Sequence, residues 1–311
     1  MAGKTVDRNH IRSTSVPVMA YEHPLAYLIG LEGIALLRAF NGEYDREFAE
    51  ARIAEVRRLL DDESLTGVQV ERVRADEAYR VWAPSYDEPR NGLFDFEEPV
   101  VREILDGQAK GVALDAACGT GRYAEYLVEQ GHEVVGVDGS PEMLERARIR
   151  VPSADFRAGD LNRLPVDDDA VDIVVCSLAL THVPDLGPVM AEFARVLRPG
   201  GHLVISDSHC ESVSLAAVPT VIGPDGTRGR LPGYRHLAGD YLRAALPLGF
   251  QVLRCEEPRL PEVPQQPASD DPGPWELWPW TLNRLVPEAA RAVNTGRPVT
   301  IIWHFRLGAD S

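Results

Sequence analysis

Leu114-Asp115-Ala116-Ala117-Cys118-Gly119-Thr120-Gly121 is the stretch that decides the fold of this 311-residue chain. Residues 112–117 are mostly apolar and predict a short buried strand, and residues 119–130 predict a helix directly after it. Glycines at a strand-to-helix turn let the backbone approach a ligand closely, and ligands of open α/β sheets bind at the carboxyl ends of the strands. The stretch therefore predicts the first strand-to-helix turn of an α/β sheet with a ligand site beside it.

Strand-like and helix-like segments alternate after this turn. The further predicted strands span residues 133–138, 155–157, 171–176, 202–207, 251–255 and 299–305, and the helices span 141–150, 186–197 and 237–246. Such alternation is typical of βαβ units with a parallel sheet. The sequence therefore predicts a doubly wound, mostly parallel seven-stranded α/β sheet of the Rossmann-like type.

The chain on either side of this pattern predicts additional parts. Residues 1–77 are expected to form a helical extension, with helices within 21–61, a linker at 62–70 and a helix over 71–84. Its apolar stretch 25–37 is expected to pack on the main domain or to form a homodimer. Residues 78–311 are expected to form the α/β domain. Two lid insertions are predicted in it, a β-hairpin region at about 210–236 and a Pro/Trp-rich loop at about 258–280.

Charge and composition exclude several classes of function. Asp and Glu total 48 against 32 for Lys and Arg, a formal net charge of −16, which disfavours nucleic acid and anionic membranes as partners. The sequence has no apolar run long enough to span a bilayer and no signal-peptide core at its start. The four cysteines, Cys118, Cys176, Cys210 and Cys255, form no C-x-x-C pair, so we expect reduced thiols and a cytoplasmic protein.

The glycine-rich turn admits two kinds of cofactor. Gly119-x-Gly121-x-x-Ala124 fits a dinucleotide fingerprint, but Asp115 would lie close to a pyrophosphate there, whereas an ammonium or sulfonium would gain from it. Asp138 follows Gly119 by 19 residues, a position from which a carboxylate accepts the hydroxyls of a ribose. A nicotinamide-dependent oxidoreductase therefore stays open as an alternative.

Taken in order, the motifs resemble those of the class I S-adenosylmethionine-dependent methyltransferases, in the subgroup similar to the enzymes of ubiquinone and menaquinone biosynthesis. The resemblance covers roughly residues 78–256. Its motifs are Trp82-Ala83-Pro84-x-Tyr86-Asp87, residues 112–121 and 137–144, Gly159-Asp160, residues 171–174, His182-Val183-Pro184-Asp185, and residues 195–201.

The resemblance implies S-adenosylmethionine as the cofactor and a role for each matching residue. Asp115 and the Gly119–Gly121 backbone would hold the methionine part, and Asp138 the ribose. The other residues implied in cofactor binding are Tyr86, Ala117, Gly139, Met143, Asp160, Leu161, Ser177 and Leu178. Two of these have a second interpretation, because Tyr86 also fits ordinary packing and Asp160 also fits a turn.

The acceptor and the catalytic base are less defined by the sequence. Residues 176–179 lack the Asn/Asp-Pro-Pro-aromatic motif of nucleobase-amine methyltransferases, which favours a small molecule. Histidine titrates near neutral pH, so the candidate bases are His182, His209 and His236. The candidate substrate-pocket residues are Tyr21, Tyr27, Tyr234, Trp275 and Trp278, with the alternative that the tryptophans only anchor the Pro-rich loop. Asp207 alone does not make a metal site, so no metal is expected.

These observations predict a cytoplasmic enzyme that transfers a methyl group to a small apolar or aromatic metabolite, such as one of secondary metabolism. Whether carbon, oxygen or nitrogen receives the methyl group stays open. Besides the oxidoreductase, a protein that binds the cofactor for a non-methylating activity is the other alternative, since chemistry belongs to the site and not to the fold.

Overall fold

The computed structural model describes residues 19–87, 91–262 and 264–309. Its strands are β1 Met19–Glu22, β2 Val68–Arg72, β3 Val112–Ala116, β4 Glu133–Asp138, β5 Asp155–Ala158, β6 Val171–Ser177, β7 Leu197–Ser208, β8 Thr220–Ile222, β9 Arg228–Arg230, β10 Phe250–Glu256 and β11 Thr300–Leu307. Its helices are α1 Pro24–Phe40, α2 Arg46–Leu60, α3 Ala75–Trp82, α4 Phe94–Asp106, α5 Arg122–Glu129, α6 Pro141–Arg150, α7 Leu186–Val196, α8 Cys210–Ser214, α9 Ala238–Ala245 and α10 Pro287–Asn294.

Seven strands form the central sheet in the order β10-β11-β7-β6-β3-β4-β5. The five strands from β7 to β5 are parallel, and β11 runs antiparallel to both β7 and β10. The predicted doubly wound, mostly parallel sheet is confirmed. The chain order reverses between the neighbours β3 and β6, so their carboxyl ends open a crevice where ligands of such sheets bind.

Helices cover both faces of the central sheet because its strands are apolar on both sides. On one face, α7 and α9 bury Phe193 and Tyr241 against the sheet. On the other, α4, α5 and α6 contribute Ile104, Leu127 and Leu144 to a second core. Two fully packed faces hold the strand ends, and with them the crevice, in a fixed geometry.

A second, four-stranded sheet joins two distant parts of the chain in the order β1-β2-β9-β8. The predicted hairpin at 218–231 is present as the antiparallel pair β8 and β9, and β9 pairs in parallel with β2. The prediction of a linker at 62–70 is wrong for its last three residues, because β2 begins at Val68 and buries Val70 on one face. We call this sheet the cap sheet, because residues that follow β2 and β9 cover the crevice.

A third core accounts for the apolar helix and for the Pro/Trp-rich loop. Leu28 and Leu31 of α1 pack with Trp275, Trp278 and α10, a helix that the sequence analysis did not predict. The Pro/Trp-rich segment is mostly irregular, as expected, but it packs on α1. The face of α1 with Leu28 and Leu31 is therefore buried within the chain, whereas Leu37 and Phe40 are exposed, and the homodimer stays a prediction.

Candidate active site

A large cavity of about 1120 Å³ opens at the carboxyl ends of β3, β4, β5 and β6. Nine of the predicted cofactor residues line this cavity or its rim: Tyr86, Ala117, Gly119, Asp138, Gly139, Asp160, Leu161, Ser177 and Leu178. Residues that had been inferred from separate motifs thus meet in one place. The cavity lies where the chain order of the sheet reverses, as the topology requires.

Two residues at the crevice have a left-handed backbone that side chains rarely adopt. Ala117 follows β3 and Leu178 follows β6, and both have positive φ, 58° and 53°, although neither is glycine. A side chain in the left-handed region costs about 1–3 kcal/mol and persists only where the surrounding structure imposes it. Gly119 adopts the same region with φ 53°, and a Cβ built there meets nothing within 4 Å. The turn therefore keeps its backbone open towards the cavity.

Asp138 sits at the end of β4 with its two carboxylate oxygens already ordered. Oδ2 accepts a hydrogen bond from the Gly119 amide and Oδ1 accepts one from the Ser140 amide, both at 2.8 Å. Burial nevertheless raises the pKa of Asp138. A carboxylate has about four acceptor positions, so two remain for a ligand. This is the capacity that a ribose diol needs.

A narrow recess of about 30 Å³ adjoins the cavity beneath Tyr86 and contains Asp115. One Asp115 oxygen accepts the Ala124 amide at 2.8 Å. Burial raises the pKa of Asp115 to about 7, against the opposing effects of this hydrogen bond and of Arg122. A cationic ligand group in the recess would favour the charged carboxylate.

The recess rests on a buried ionic network that the sequence analysis missed. Arg122 lies 2.7 Å from Oε1 of Glu97, which is fully buried, and its guanidinium stacks over Phe94. Glu97 also accepts hydrogen bonds from Ser206 at 2.8 Å and Ser177 at 3.3 Å. The network thereby fixes the ends of β6 and β7 to α4. In the sequence, the pair of acidic residues in α4 was the one feature that could have indicated this network.

Asp160 is a turn residue that also lines the cavity. Its Oδ1 accepts the Asn162 amide and the Asn162 side chain at 2.7 Å, which makes it a turn residue. It also lines the cavity beside Leu161, and its other oxygen has no hydrogen bond in the described part of the chain. The turn therefore presents one free carboxylate oxygen at the rim.

The opposite half of the cavity is built by the cap sheet and α3. Tyr79 of α3 lines it, with its ring 5.9 Å from Tyr86 and 6.0 Å from His182. Tyr234 lines it from the segment after β9, as predicted, together with Leu231. The sequence analysis missed Tyr79, although its spacing from Trp82 and Tyr86 is that of one helix face.

His182 is the one of the three predicted bases that lines the cavity. Its Nδ1 lies 2.9 Å from the carbonyl of Pro232. A carbonyl only accepts, so Nδ1 carries the proton and Nε2 keeps its lone pair. Burial lowers the pKa of His182, while the Pro232 carbonyl and the charge of Asp207 act in the opposite direction. The ring is therefore neutral near pH 7 and able to accept a proton at Nε2.

The other two predicted bases lie outside the cavity lining and have structural partners. His209 is buried, and its Nδ1 accepts the Glu211 amide at the start of α8 while Nε2 donates to Glu257 at 3.2 Å. His236 donates from Nε2 to the carbonyls of Leu180 and Val183. Both rings fasten loops to the domain, so these two assignments are corrected.

Four of the predicted substrate-pocket residues also lie elsewhere. Trp275 is buried and donates to Glu22 at 3.1 Å, and Trp278 donates to the carbonyl of Pro272. The Tyr27 hydroxyl donates to the Asn283 side chain at 3.0 Å, beside the third core. Tyr21 is 62% exposed on β1, at the far edge of the cap sheet. The two tryptophans pack with α1 in the third core, which was the alternative interpretation for them.

Two predicted cofactor residues lie in packed positions outside the cavity lining. Gly121 has φ 85°, and a Cβ there would lie 3.2 Å from the Ala147 Cβ, so this glycine permits close packing of α5 on α6. Met143 is 1% exposed, and its amide donates to the Ser140 hydroxyl. Neither residue lines the cavity, since Gly121 is packed at the start of α5 and Met143 is a buried residue of α6.

Two kinds of feature are absent from the part of the chain that the structure describes. Residues 19–87, 91–262 and 264–309 contain no group of three or more His, Cys, Asp or Glu side chains arranged to hold a metal ion. None of the helices in these ranges combines the length and apolarity that crossing a membrane requires.

Known proteins are similar to parts of this chain. Residues 114–205 match the family described as methyltransferase domain. A malonyl-[acyl-carrier protein] O-methyltransferase of Yersinia pestis is 34% identical over 143 residues, 46% of this chain and 53% of that protein. A demethylmenaquinone methyltransferase of Paenarthrobacter aurescens is 34% identical over 149 residues, 48% of this chain and 51% of that protein. The matches thus span about half the length of these curated relatives.

A solved structure extends the likeness to the fold. A chain of the complex between the Haloferax volcanii Trm112 methyltransferase activator and a methyltransferase superposes with a TM-score of 0.53 at 22% identity. The match covers 75% of this chain and 97% of that chain. The family match spans β3 to β6 and the turns after them, which line the cavity. Residues 114–205 are therefore similar to a methyltransferase domain, and the solved structure has the same fold as this chain.

Proposed function

We propose that the protein transfers the methyl group of S-adenosylmethionine to a small acceptor bound under the cap sheet. The observation that carries this proposal is the continuity of the cavity from Asp138 and Asp160 at the strand ends to Tyr79, His182 and Tyr234 on the cap side. Its volume of about 1120 Å³ exceeds the range of roughly 300–1,000 Å³ that is usual for single-ligand pockets. Two ligands side by side fit this size.

The residues of the strand ends fit the cofactor. Asp138 has acceptor capacity for a ribose diol, and the free Asp160 oxygen suits an exocyclic amine. Asp115, with its pKa near 7, favours a cation in the recess. The bound cofactor supplies an electrophilic methyl group on a sulfonium. The same acidic surroundings disfavour a pyrophosphate, which argues against the nicotinamide alternative.

The proposed role of His182 is to accept the proton of the acceptor. Displacement at a methyl group depends mainly on holding donor and acceptor in near-attack geometry. A hydroxyl or protonated amine must also lose a proton, and the Nε2 lone pair of His182 faces no other partner in the described chain. Tyr79 and Tyr234, with Leu231, make a partly apolar wall, which suits a flat aromatic or apolar acceptor.

Product formation tests the proposal. The protein would be incubated with S-adenosylmethionine and a panel of phenols, hydroxy acids, aromatic amines and activated carbon acids. We expect S-adenosylhomocysteine and a product heavier by one methylene, both detected by mass spectrometry. Tight cofactor binding with no methylated product across the panel would instead favour the non-methylating alternative.

A further inference from the structure

Three side chains form a compact polar node outside the cavity wall. The Thr120 hydroxyl donates to Oδ1 of Asp87 at 3.0 Å, and Nη2 of Arg150 donates to Oδ2 of Asp87 at 3.0 Å. Nη1 of Arg150 also donates to the Thr120 hydroxyl at 3.0 Å and to the Thr120 carbonyl at 3.2 Å. Every pair of the three residues is therefore hydrogen-bonded. None of these contacts is needed for the chemistry described above.

The node joins three separate elements around the recess. Asp87 directly follows Tyr86, Thr120 belongs to the glycine-rich turn, and Arg150 is the last residue of α6. Asp87 and Thr120 line the recess on one side and, with Arg150, an outer cleft of about 510 Å³ on the other. The node thus lies between the recess and the outer cleft.

We propose that this node is a latch that holds Tyr86 over the cofactor and opens to let the cofactor enter and leave. The inference rests on the proposed function, because it assigns the recess to the methionine part of the cofactor. Tyr86 lines both the recess and the large cavity, so a movement of its ring changes the shape of both. Asp87 and Arg150 are positioning residues, since they act through Tyr86.

The strength of the latch suits repeated opening. The Asp87 and Arg150 side chains are 33% and 27% exposed, so water screens their attraction. Partly exposed ion pairs contribute little to stability, so thermal motion opens them readily. The Glu97–Arg122 pair beneath the recess is buried on its acidic side and stays closed. The recess therefore has one permanent wall and one wall that can open.

The expected effect follows from the population of closed molecules. The apparent dissociation constant equals the intrinsic one divided by the fraction of protein in the binding-competent state. If loss of the latch leaves between a tenth and a third of the molecules closed, Asp87→Asn weakens S-adenosylhomocysteine binding about three- to tenfold. Most of this change is expected as faster dissociation, since the contacts to the cofactor itself are unchanged.

The experiment is a double-mutant cycle on the full chain, read by calorimetric titration with S-adenosylhomocysteine. Asp87→Asn and Arg150→Gln are expected to weaken binding by similar factors, and the double variant by no more than either alone. Asp155→Asn is the matched control, because Asp155 pairs with Arg157 at 2.7 Å on β5 and lines none of the three cavities. We expect it to bind as the wild type does.

Substitutions of Thr120 separate the latch from a general loss of structure. Thr120→Ser keeps the hydroxyl donor and is expected to bind S-adenosylhomocysteine with wild-type affinity. Thr120→Val removes the hydroxyl and is expected to weaken binding. Wild-type affinity in folded Asp87→Asn, or additive losses in the cycle, would overturn the latch and leave the proposed function intact. Failure of the wild-type protein itself to bind would overturn the proposed function and the latch with it.

Discussion

Replacement of Asp138 by alanine isolates the contribution of the carboxylate that we assign to the ribose. The Asp138 oxygens accept the amides of Gly119 and Ser140, which leaves about two acceptor positions for the ribose hydroxyls. A hydrogen bond to a charged group is worth about 1.5–3 kcal/mol net. Water can reach the two released amides, so the folded protein is expected to survive the change. We therefore expect S-adenosylhomocysteine affinity to fall about 10- to 150-fold.

Calorimetric titration of the folded variant measures this loss directly. Asp155→Ala, on the same sheet but away from the cavity, is the control and should bind like the wild type. Thermal melting without ligand shows whether Asp138→Ala remains folded. An unchanged dissociation constant in a folded Asp138→Ala variant would refute the assignment of the ribose to this carboxylate.

Three further predictions follow from the geometry. His182→Gln should lower kcat about 10²- to 10⁴-fold for a hydroxyl acceptor found in the product screen while S-adenosylhomocysteine affinity is retained; a preserved kcat would exclude the base. Burial, His202 and Arg254 lower the pKa of His304 to about 4. His304 therefore binds a proton at a higher pH in the unfolded chain than in the folded one. Up to about 3 kcal/mol of folding stability is lost as pH falls from 6.5 towards 4. Urea unfolding at both pH values should show a smaller loss in His304→Gln, and an equal loss would contradict the assignment. Gly121→Ala should lower the unfolding free energy by about 1–2 kcal/mol because of its positive φ, whereas Gly30→Ala, in open space within α1, should raise it by about 0.5–1 kcal/mol in the same denaturation assay.

The central sheet and the cofactor half of the cavity were predictable because their signals are local. A buried strand, a glycine turn and the next helix lie within a few residues of one another, and parallel topology brings the strand ends to one edge. Asp138 and Ser177 line the same cavity although their strands are separated by β5 in the chain, and the assignment of Ser177 came from the family resemblance. Tyr234 was also expected near the pocket.

The acceptor half was not predictable because it depends on long-range pairing. The cap sheet joins β2 to β9 across more than 150 residues, and short strands have weak patterns. The aromatic residues Trp275 and Trp278 were read as a lid since exposed and buried rings look alike in sequence, but they pack on α1. Histidines have the same ambiguity, and His209 proved to be a helix cap.

The central claim is that the cavity at the strand ends binds S-adenosylmethionine. Its most direct test is calorimetric titration of the purified protein with S-adenosylhomocysteine, with NADH as the control ligand. The account predicts tight binding of S-adenosylhomocysteine at one site per chain and none of NADH. Binding of NADH without binding of S-adenosylhomocysteine would contradict this claim. It would also refute the roles assigned to Asp115 and Asp138.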